Sequence, residues 1–268
     1  MTQFTGVSET LLISLYARFL ETQRTDRILE DEKAVEAVST LDLDFDKFSD
    51  DFSVVQIGCA VRTEILDQAV QSFLSRHPEA AVINLGAGLC TRFFRLDNGK
   101  TTWFEVDFPE VKSSWSRVFQ ETERHQYIAS SVLDFAWMNQ LDSCSHLPKL
   151  FIAEGLLMYF SEQQVRKLLT ELTLRFPQSE MLLEAMSPHL AKNSNRNRAV
   201  SKTDATFRWG LSTGRHLSKW TSKIYFVEEW YYLDRHPARW GNARFFRYIP
   251  FIRKGMKIIH IRFVSDSQ

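Results

Sequence analysis

Hydrophobic residues near the start of the chain recur at helical spacing: Leu11, Leu12, Leu15, Phe19 and Leu20 share one face, with Ser8 and Glu9 as candidate caps. A second helical pattern runs from Val54 to Leu74, carrying Arg62, Ile65, Leu66, Ala69, Val70 and Phe73, and stops before Pro78. Between them "TLDLDFDKFSDDF", Thr40 to Phe52, is acidic with regularly placed Leu and Phe, as in a surface loop or short helices. After Pro78 the pattern changes to short apolar runs separated by helical or loop segments. Strands are predicted at Ala81–Leu85, Thr102–Val106, Gln126–Ala129, Leu150–Ala153, Met181–Glu184, Ile224–Val227 and Lys257–Phe263. Alternation of this kind implies an α/β fold, a mostly parallel sheet covered by helices on both faces. The polar, basic stretch from Pro188 to Trp220 is too long for a plain connection and reads as a lid or substrate-facing insertion, or as a disordered loop.

Composition narrows the classes. With 268 residues, 44% hydrophobic and 25% charged, the chain matches an ordinary globular protein able to bury a large core. No internal repeat or linker asks for a second domain, so 1–268 is expected to be one unit: a helical cap over 1–78 and a sheet-based core over 79–268, with the insertion at about 188–220. The formal charge is zero and the sequence pI about 7.1, so no overall positive field attracts nucleic acid or an anionic membrane. Cys59, Cys90 and Cys144 are too few and scattered for a disulfide framework or a CxxC metal pair, which fits a reducing cytoplasm and predicts no metal. No apolar run approaches the roughly 20 residues needed to span a bilayer. Oligomeric state stays open, a homo-oligomer included, because Trp103, Trp115 and Trp137 can serve core or interface.

The chemistry begins in "AAVINLGAGLCTRFFRLDNGKTTWFEVDFPEV", Ala80 to Val111. Gly86, Ala87 and Gly88 follow the first predicted strand, where absent side chains let the backbone turn sharply and approach a ligand closely. Glu105 and Asp107 lie 19 and 21 residues after Gly86, at the end of the second strand, where an acceptor can take hydrogens from both ribose hydroxyls of an adenosine. Thr91 stands where a dinucleotide fingerprint has its third glycine, which disfavours NAD, and no GxxxxGK[ST] loop occurs. S-adenosylmethionine, with a ribose and no pyrophosphate, fits better. By itself a glycine turn with a later acid is equally a plain tight turn.

"NLGAGLCTRFFRL", "WFEVDFPEV" and "IAEGLLMYF" together resemble the leucine carboxyl methyltransferase family, in particular its bacterial O-methyltransferases associated with polyketide biosynthesis, of the tetracenomycin type. The likeness runs from "VSETLLISLYARFLETQR" through "VRTEILD" and "SVLD" to "HPARWG" and "KGMKIIHIRF". It implies a class I methyltransferase fold, Rossmann-like, with seven strands, an antiparallel last strand and extra N-terminal helices, and S-adenosylmethionine as methyl donor. It also implies that Arg62 pairs with the donor's carboxylate, that Gly86 and Gly88 form the donor loop, and that Asp107 with Glu105 meets the ribose. By the same resemblance Leu133 and Asp134 lie at the adenine, and Glu154 faces the donor's amino group. One departure is visible: the family reads GLDTR, and this chain has Cys90 at the aspartate. The residues themselves allow other roles. Arg62 has the planar fork suited to a carboxylate, yet spacing alone favours a pair with Glu64 or Asp67 along a helix surface. Glu154 ends an apolar strand and needs a cationic partner if buried. Asp134 can cap the segment that follows it.

Methyl transfer from a sulfonium is an in-line displacement that asks mainly for alignment and exclusion of water. A carboxylate acceptor on a small molecule, of polyketide type by the resemblance, needs no base, whereas a hydroxyl does. His189 is the candidate base and His216 the second, although a lone histidine is more often solvated. Arg208 can anchor an acidic acceptor, and Tyr159, Phe207 and Trp209 can form an aromatic wall, with core packing the rival role for Tyr159. The competing function is a non-catalytic binding or scaffold protein that has kept the fold, suggested by Cys90 and the lack of a compelling base.

Overall fold

A computed structural model describes residues 10–41, 45, 52–193 and 206–265. Seven strands form one sheet: β1 (Ala81–Leu85), β2 (Thr102–Asp107), β3 (His125–Ala129), β4 (Lys149–Ala153), β5 (Glu180–Met186), β6 (Ile224–Tyr231) and β7 (Met256–Phe263). Their order is β3-β2-β1-β4-β5-β7-β6. The first five are parallel, and β7 runs antiparallel to both β5 and β6. This is the class I methyltransferase topology. Strands β1, β4 and β5 read as continuous apolar runs because both of their faces are covered, and every residue of each is buried.

Alternate residues of the sheet enter two cores. Ile83, Leu85, Phe104, Val106 and Phe151 pack on one face against α6 (Glu162–Arg175) and the 3-10 segment Phe135–Cys144, with Leu168, Leu172, Trp137 and Leu141. Val82, Trp103, Leu150, Ile152 and Leu182 pack on the other face against Ile57, Val61, Ile65 and Phe73 of α3 (Ser53–Arg76). Helix α6 starts at a capping box in which the Ser161 hydroxyl accepts from the Gln164 N–H and the Gln164 amide oxygen from the Ser161 N–H. The N-terminal α1 (Leu11–Thr22) and α2 (Glu32–Leu41) form a further apolar cluster with Leu89 and with Trp115 of α5 (Pro109–Val118), which places them over the carboxyl ends of β1 and β2.

Strand β1 falls on its expected residues, and the other strands extend one to four residues beyond theirs, most at β6, which reaches Tyr231 past a bulge between Phe226 and Glu228. The Ser8 and Glu9 caps and most of the acidic Thr40 to Phe52 tract lie outside the described residues, as do residues 194–205 of the insertion. The described part of that insertion does not behave as a detached loop: Trp209, Leu211 and Leu217 enter the core, and Trp209 faces Trp220 at 6.3 Å. Gly214 there has no space for a side chain, since a Cβ would come 2.4 Å from Ile259 and 2.8 Å from Phe226. Gly214→Ala is therefore expected to cost about 1–3 kcal/mol through overpacking, read as a lower denaturation midpoint with an unchanged slope.

Candidate functional site

The chain leaves β1, builds β2 and β3 outward, and returns to β4 on the other side of β1. The crevice at that reversal, beyond the carboxyl ends of the strands, is where ligands bind in open α/β sheets. A cleft lies there, lined by Arg18, Arg62, Gly86, Ala87, Gly88, Asp107 and Glu154 among others. Gly86 and Gly88 both adopt positive φ, 65° and 55°, and a Cβ on Gly86 would stand 2.7 Å from Leu156. The loop is fixed to β2: Gly86 N–H donates to the Val106 carbonyl at 2.8 Å and Gly88 N–H to the Asp107 carboxylate at 2.6 Å. Asp107 takes a second backbone hydrogen bond from Phe108 N–H at 2.7 Å. Its burial outweighs those bonds and pushes its pKa up to about 6.

Arg62 does not lie along a helix surface. Its Nε is 2.7 Å from Glu154 Oε1, its Nη1 3.1 Å from Glu184 Oε2, and its Nη2 donates to the Ser14 hydroxyl at 2.7 Å. Glu64 pairs with His236, and Asp67 with Arg92 and Arg95 of α4 (Arg92–Leu96). A chain of ion pairs results in which every inner member touches two partners of opposite charge. Glu184 pairs with Arg62, Arg62 with Glu154, Glu154 with Arg92, Arg92 with Asp67, Asp67 with Arg95, Arg95 with Asp31, and Asp31 with Arg18. Burial alone would raise the Glu154 carboxyl, but the Arg62 and Arg92 guanidiniums outweigh it and hold it well below the usual carboxylate range.

Several expected site residues stand elsewhere. Glu105 is fully buried away from the cleft, accepting from Asn84 at 2.8 Å with His125 Nε2 at 3.2 Å; it shares the face of Asp107 but lies two residues back along β2, inside the sheet rather than at its carboxyl end. Neither Leu133 nor Asp134 lines the cleft; Asp134 is exposed and caps the following 3-10 segment by accepting from Ala136 N–H. His189 is exposed on α7 (Pro188–Lys192), its ring edge-on to Phe251, and His216 and Arg208 are also exposed, so none of the three reaches the cleft. Trp209 belongs to the core rather than to a wall. Tyr159 and Phe207 do come together, ring centres 5.4 Å apart, beside a second cavity. Cys90 leaves the turn intact, its N–H donating to the Ala87 carbonyl, and its sulfur lies 3.5 Å from Arg92 Nη1.

Glu184, Tyr232, Arg18, Asp31 and Arg92 were not singled out from the sequence. Glu184 carried a readable signal, a carboxylate inside the apolar run "MLLEAM", the same anomaly that marks Glu154. It accepts from Tyr232 OH and Gly155 N–H, both at 2.7 Å. The others depend on partners far along the chain.

The second cavity, about 340 Å³, is mostly apolar: Ile13, Val55, Met158, Tyr159, Met186 and Phe207 contribute. Thr10, Ser14, Arg62 and Gly155 line both it and the cleft, so the two spaces share a wall. On α3, Gly58 faces the cavity, and a Cβ there would meet nothing within 4 Å.

The cleft's donor set suits S-adenosylmethionine: the Asp107 carboxylate has lone pairs left for a ribose diol, Arg62 and Arg18 offer guanidiniums to a carboxylate, Glu154 offers an anion to an ammonium, and Gly86 and Gly88 leave room for close approach. Comparisons with known proteins agree. The family model for leucine carboxyl methyltransferase matches residues 11–173. The tetracenomycin polyketide synthesis O-methyltransferase TcmP of Streptomyces glaucescens is 30% identical over 97% of this chain and 98% of its own. The S-adenosyl-L-methionine-dependent methyltransferase dpfgK of Gibberella zeae is 27% identical, covering 89% and 86%. Two solved structures share the fold alone. A DUF574 family protein from Streptomyces avermitilis has a TM-score of 0.59 at 14% identity, over 92% of this chain and 97% of its own. The N-methyltransferase NodS of Bradyrhizobium japonicum, solved with S-adenosyl-L-homocysteine, has 0.52 at 11%, over 88% and 100%. The chain thus belongs to the leucine carboxyl methyltransferase family and is an S-adenosylmethionine-dependent O-methyltransferase.

Proposed function

We propose that the protein methylates a carboxylate oxygen of a small apolar molecule, of polyketide type as the name of the Streptomyces glaucescens relative suggests, held in the cavity beside the donor cleft. The observation that carries this reading is the wall common to both spaces, formed by Thr10, Ser14, Arg62 and Gly155. A methyl group at that wall lies between the two compartments, which is the alignment an in-line displacement requires. S-adenosylmethionine supplies an activated methyl when bound; the protein supplies position and a dry surround.

Carboxylate is favoured over hydroxyl by the residues of the described lining. Glu184, the lining's buried carboxylate beside the shared wall, already accepts from Tyr232, Arg62 and Gly155. Tyr159 is pushed by burial up to about 12 and so stays protonated. No histidine of the described residues lines the cavity. A hydroxyl acceptor would need a base that is not free there, whereas a carboxylate arrives ionised. Asp107 and Glu154, with the Gly86 to Gly88 loop, hold the donor in this reading, and Arg62 stands at the join, a cation available to either carboxylate. A non-catalytic scaffold role has no observation in its favour.

The test is transfer of a radiolabelled methyl from S-adenosylmethionine to a panel of aromatic and polycyclic acids and phenols. Label released as methanol by mild alkali identifies an ester; label that resists alkali identifies an ether and excludes the carboxylate reading. Gly58→Leu is expected to fill the cavity, raising KM for the acceptor at least tenfold. Affinity for S-adenosylhomocysteine should be unchanged, and helix α3 should gain up to about 1 kcal/mol.

Arg62→Ala leaves Glu154 and Glu184 buried with a partner missing, which is expected to cost about 3–5 kcal/mol in denaturant titration. Arg62→Lys keeps the charge without the fork and should retain more stability than Ala while still weakening S-adenosylhomocysteine in calorimetry.

Asp107 gives a pH signature. Because its pKa is raised to about 6, the charged acceptor is lost as pH falls through that value, so S-adenosylhomocysteine affinity is expected to drop on going from about pH 7 to about pH 5. Asp107→Asn should begin weaker and vary less. The sign for stability is opposite: a carboxyl that is raised in the folded state contributes stability that is present below its unfolded value and lost as pH rises through about 6.

A further inference from the structure

The stretch from Arg235 to Lys254 carries six arginine and lysine residues, one histidine and no carboxylate, within a protein of zero formal charge. It forms the 3-10 segment Pro237–Tyr248 and the short α8 (Pro250–Arg253), which bury none of their side chains. Phe245, Phe246, Tyr248, Ile249 and Phe251 are all exposed, Tyr248 by 74%. One exposed apolar side chain is ordinary, but five within seven consecutive positions make a patch of the kind that marks an interaction surface.

Three cations on this patch have no carboxylate partner among the described residues. Arg239 is held by Glu21 and Arg253 by Asp234, whereas no carboxylate among the described residues pairs with Arg244, Arg247 or Lys254. Arg244 lies over the Phe245 ring at 4.9 Å and Arg247 over Tyr248 at 5.5 Å, so charge and aromatic face are presented together. From Ala243 to Lys254 every side chain is apolar, aromatic or cationic. A folded partner is usually met with a rim of mixed hydrogen-bonding groups. Aromatic and aliphatic groups interleaved with arginine, lacking such a rim, suit the boundary between lipid headgroups and acyl chains.

The position adds a second observation. Trp240, Ile252 and Arg253 of this stretch also line the apolar cavity, together with Val54 and Leu190, and Val54, Leu190 and Ile252 are themselves exposed. The cavity's mouth therefore opens at the edge of the patch.

We propose that this surface docks on an anionic lipid bilayer, with Phe245, Phe246, Tyr248, Ile249 and Phe251 at the headgroup level and Arg244, Arg247 and Lys254 over lipid phosphates. Docking places the cavity mouth against the bilayer, where an apolar acceptor partitions. That route of entry rests on the acceptor reading above, while docking itself does not. The sequence expectation of no membrane attraction came from the overall charge, which averages this stretch with the acidic remainder.

Flotation of the full chain with vesicles tests it. The protein is expected to float with vesicles of phosphatidylcholine mixed with phosphatidylglycerol, far less with phosphatidylcholine alone, and less at high salt. Arg244→Gln with Arg247→Gln should lower partitioning roughly thirtyfold, since each cation near an anionic surface is worth about 1 kcal/mol. Phe245→Ser with Phe251→Ser should abolish it, both double variants binding S-adenosylhomocysteine as the parent does. Failure of the parent chain to float with anionic vesicles overturns the proposal, as does flotation that both double variants keep. So does a dimer in vesicle-free chromatography that Phe245→Ser with Phe251→Ser dissolves, since the patch would then belong to a second copy. Methyl transfer to a soluble acceptor is read separately, so either conclusion can fail alone.

Discussion

The alternating line of guanidinium and carboxylate groups from Glu184 to Arg18 is the interaction on which the donor cleft depends. Burying any one of these charges alone is prohibitive, and a single buried pair roughly breaks even against its desolvation. Sharing changes the balance, because each inner member faces two opposite charges, and Ser14, Thr91, Gly155, Tyr232 and the Leu89 carbonyl add hydrogen bonds along the line. Four arginines and four carboxylates cancel. The line joins α1 and the chain at Asp31 to α3, α4 and the ends of β4 and β5, so it ties the N-terminal helices to the sheet at the place where the cleft forms.

Sheet topology explains why the line is where it is. The order reversal at β1 and β4 leaves a crevice between the turns that follow them, and Gly86 to Gly88 and Glu154 to Gly155 are those turns. Glu184, near the carboxyl end of the next strand outward, is within reach of Gly155, and Arg62 bridges from α3 above. The apolar cavity occupies the adjoining space because α3 presents Gly58 and Val55 there and the chain after β4 presents Met158 and Tyr159.

What could be read directly from the sequence is what local patterns encode. Strands β1 to β5 and β7 are marked by apolar runs between breakers, and α3 by its long period, so their places emerge within a few residues. The glycine turn and the carboxylate at Asp107 are legible because a positive φ and the carboxyl end of a strand have residue preferences. Glu105 was misplaced by depth: it shares a face of β2 with Asp107, but only Asp107 stands at the strand's end, where Gly88 and Phe108 hold it at the cleft, while Glu105 lies further back with Asn84 and His125. His189 was chosen by residue type just past a strand and Arg208 by residue type within the insertion, and residue type does not say which way a short helix or an extended segment is turned. Arg18 and Asp31 gave no local sign, since their meaning lies in residues such as Leu89, Thr91 and Arg95.

That separation along the chain sets an order of events in biosynthesis. Arg62 and Glu184 are 122 positions apart, and Asp31 waits more than fifty positions for Thr91 and Arg95. During translation Arg62 emerges long before Glu184, the second of its two carboxylates, so the full line cannot close until β5 has left the ribosome. Closing such long loops is slow. The join between the cleft and the apolar cavity, where Arg62 meets Glu184, is accordingly completed late, and a nascent chain truncated before Glu184 leaves Arg62 with Glu154 but without its second carboxylate.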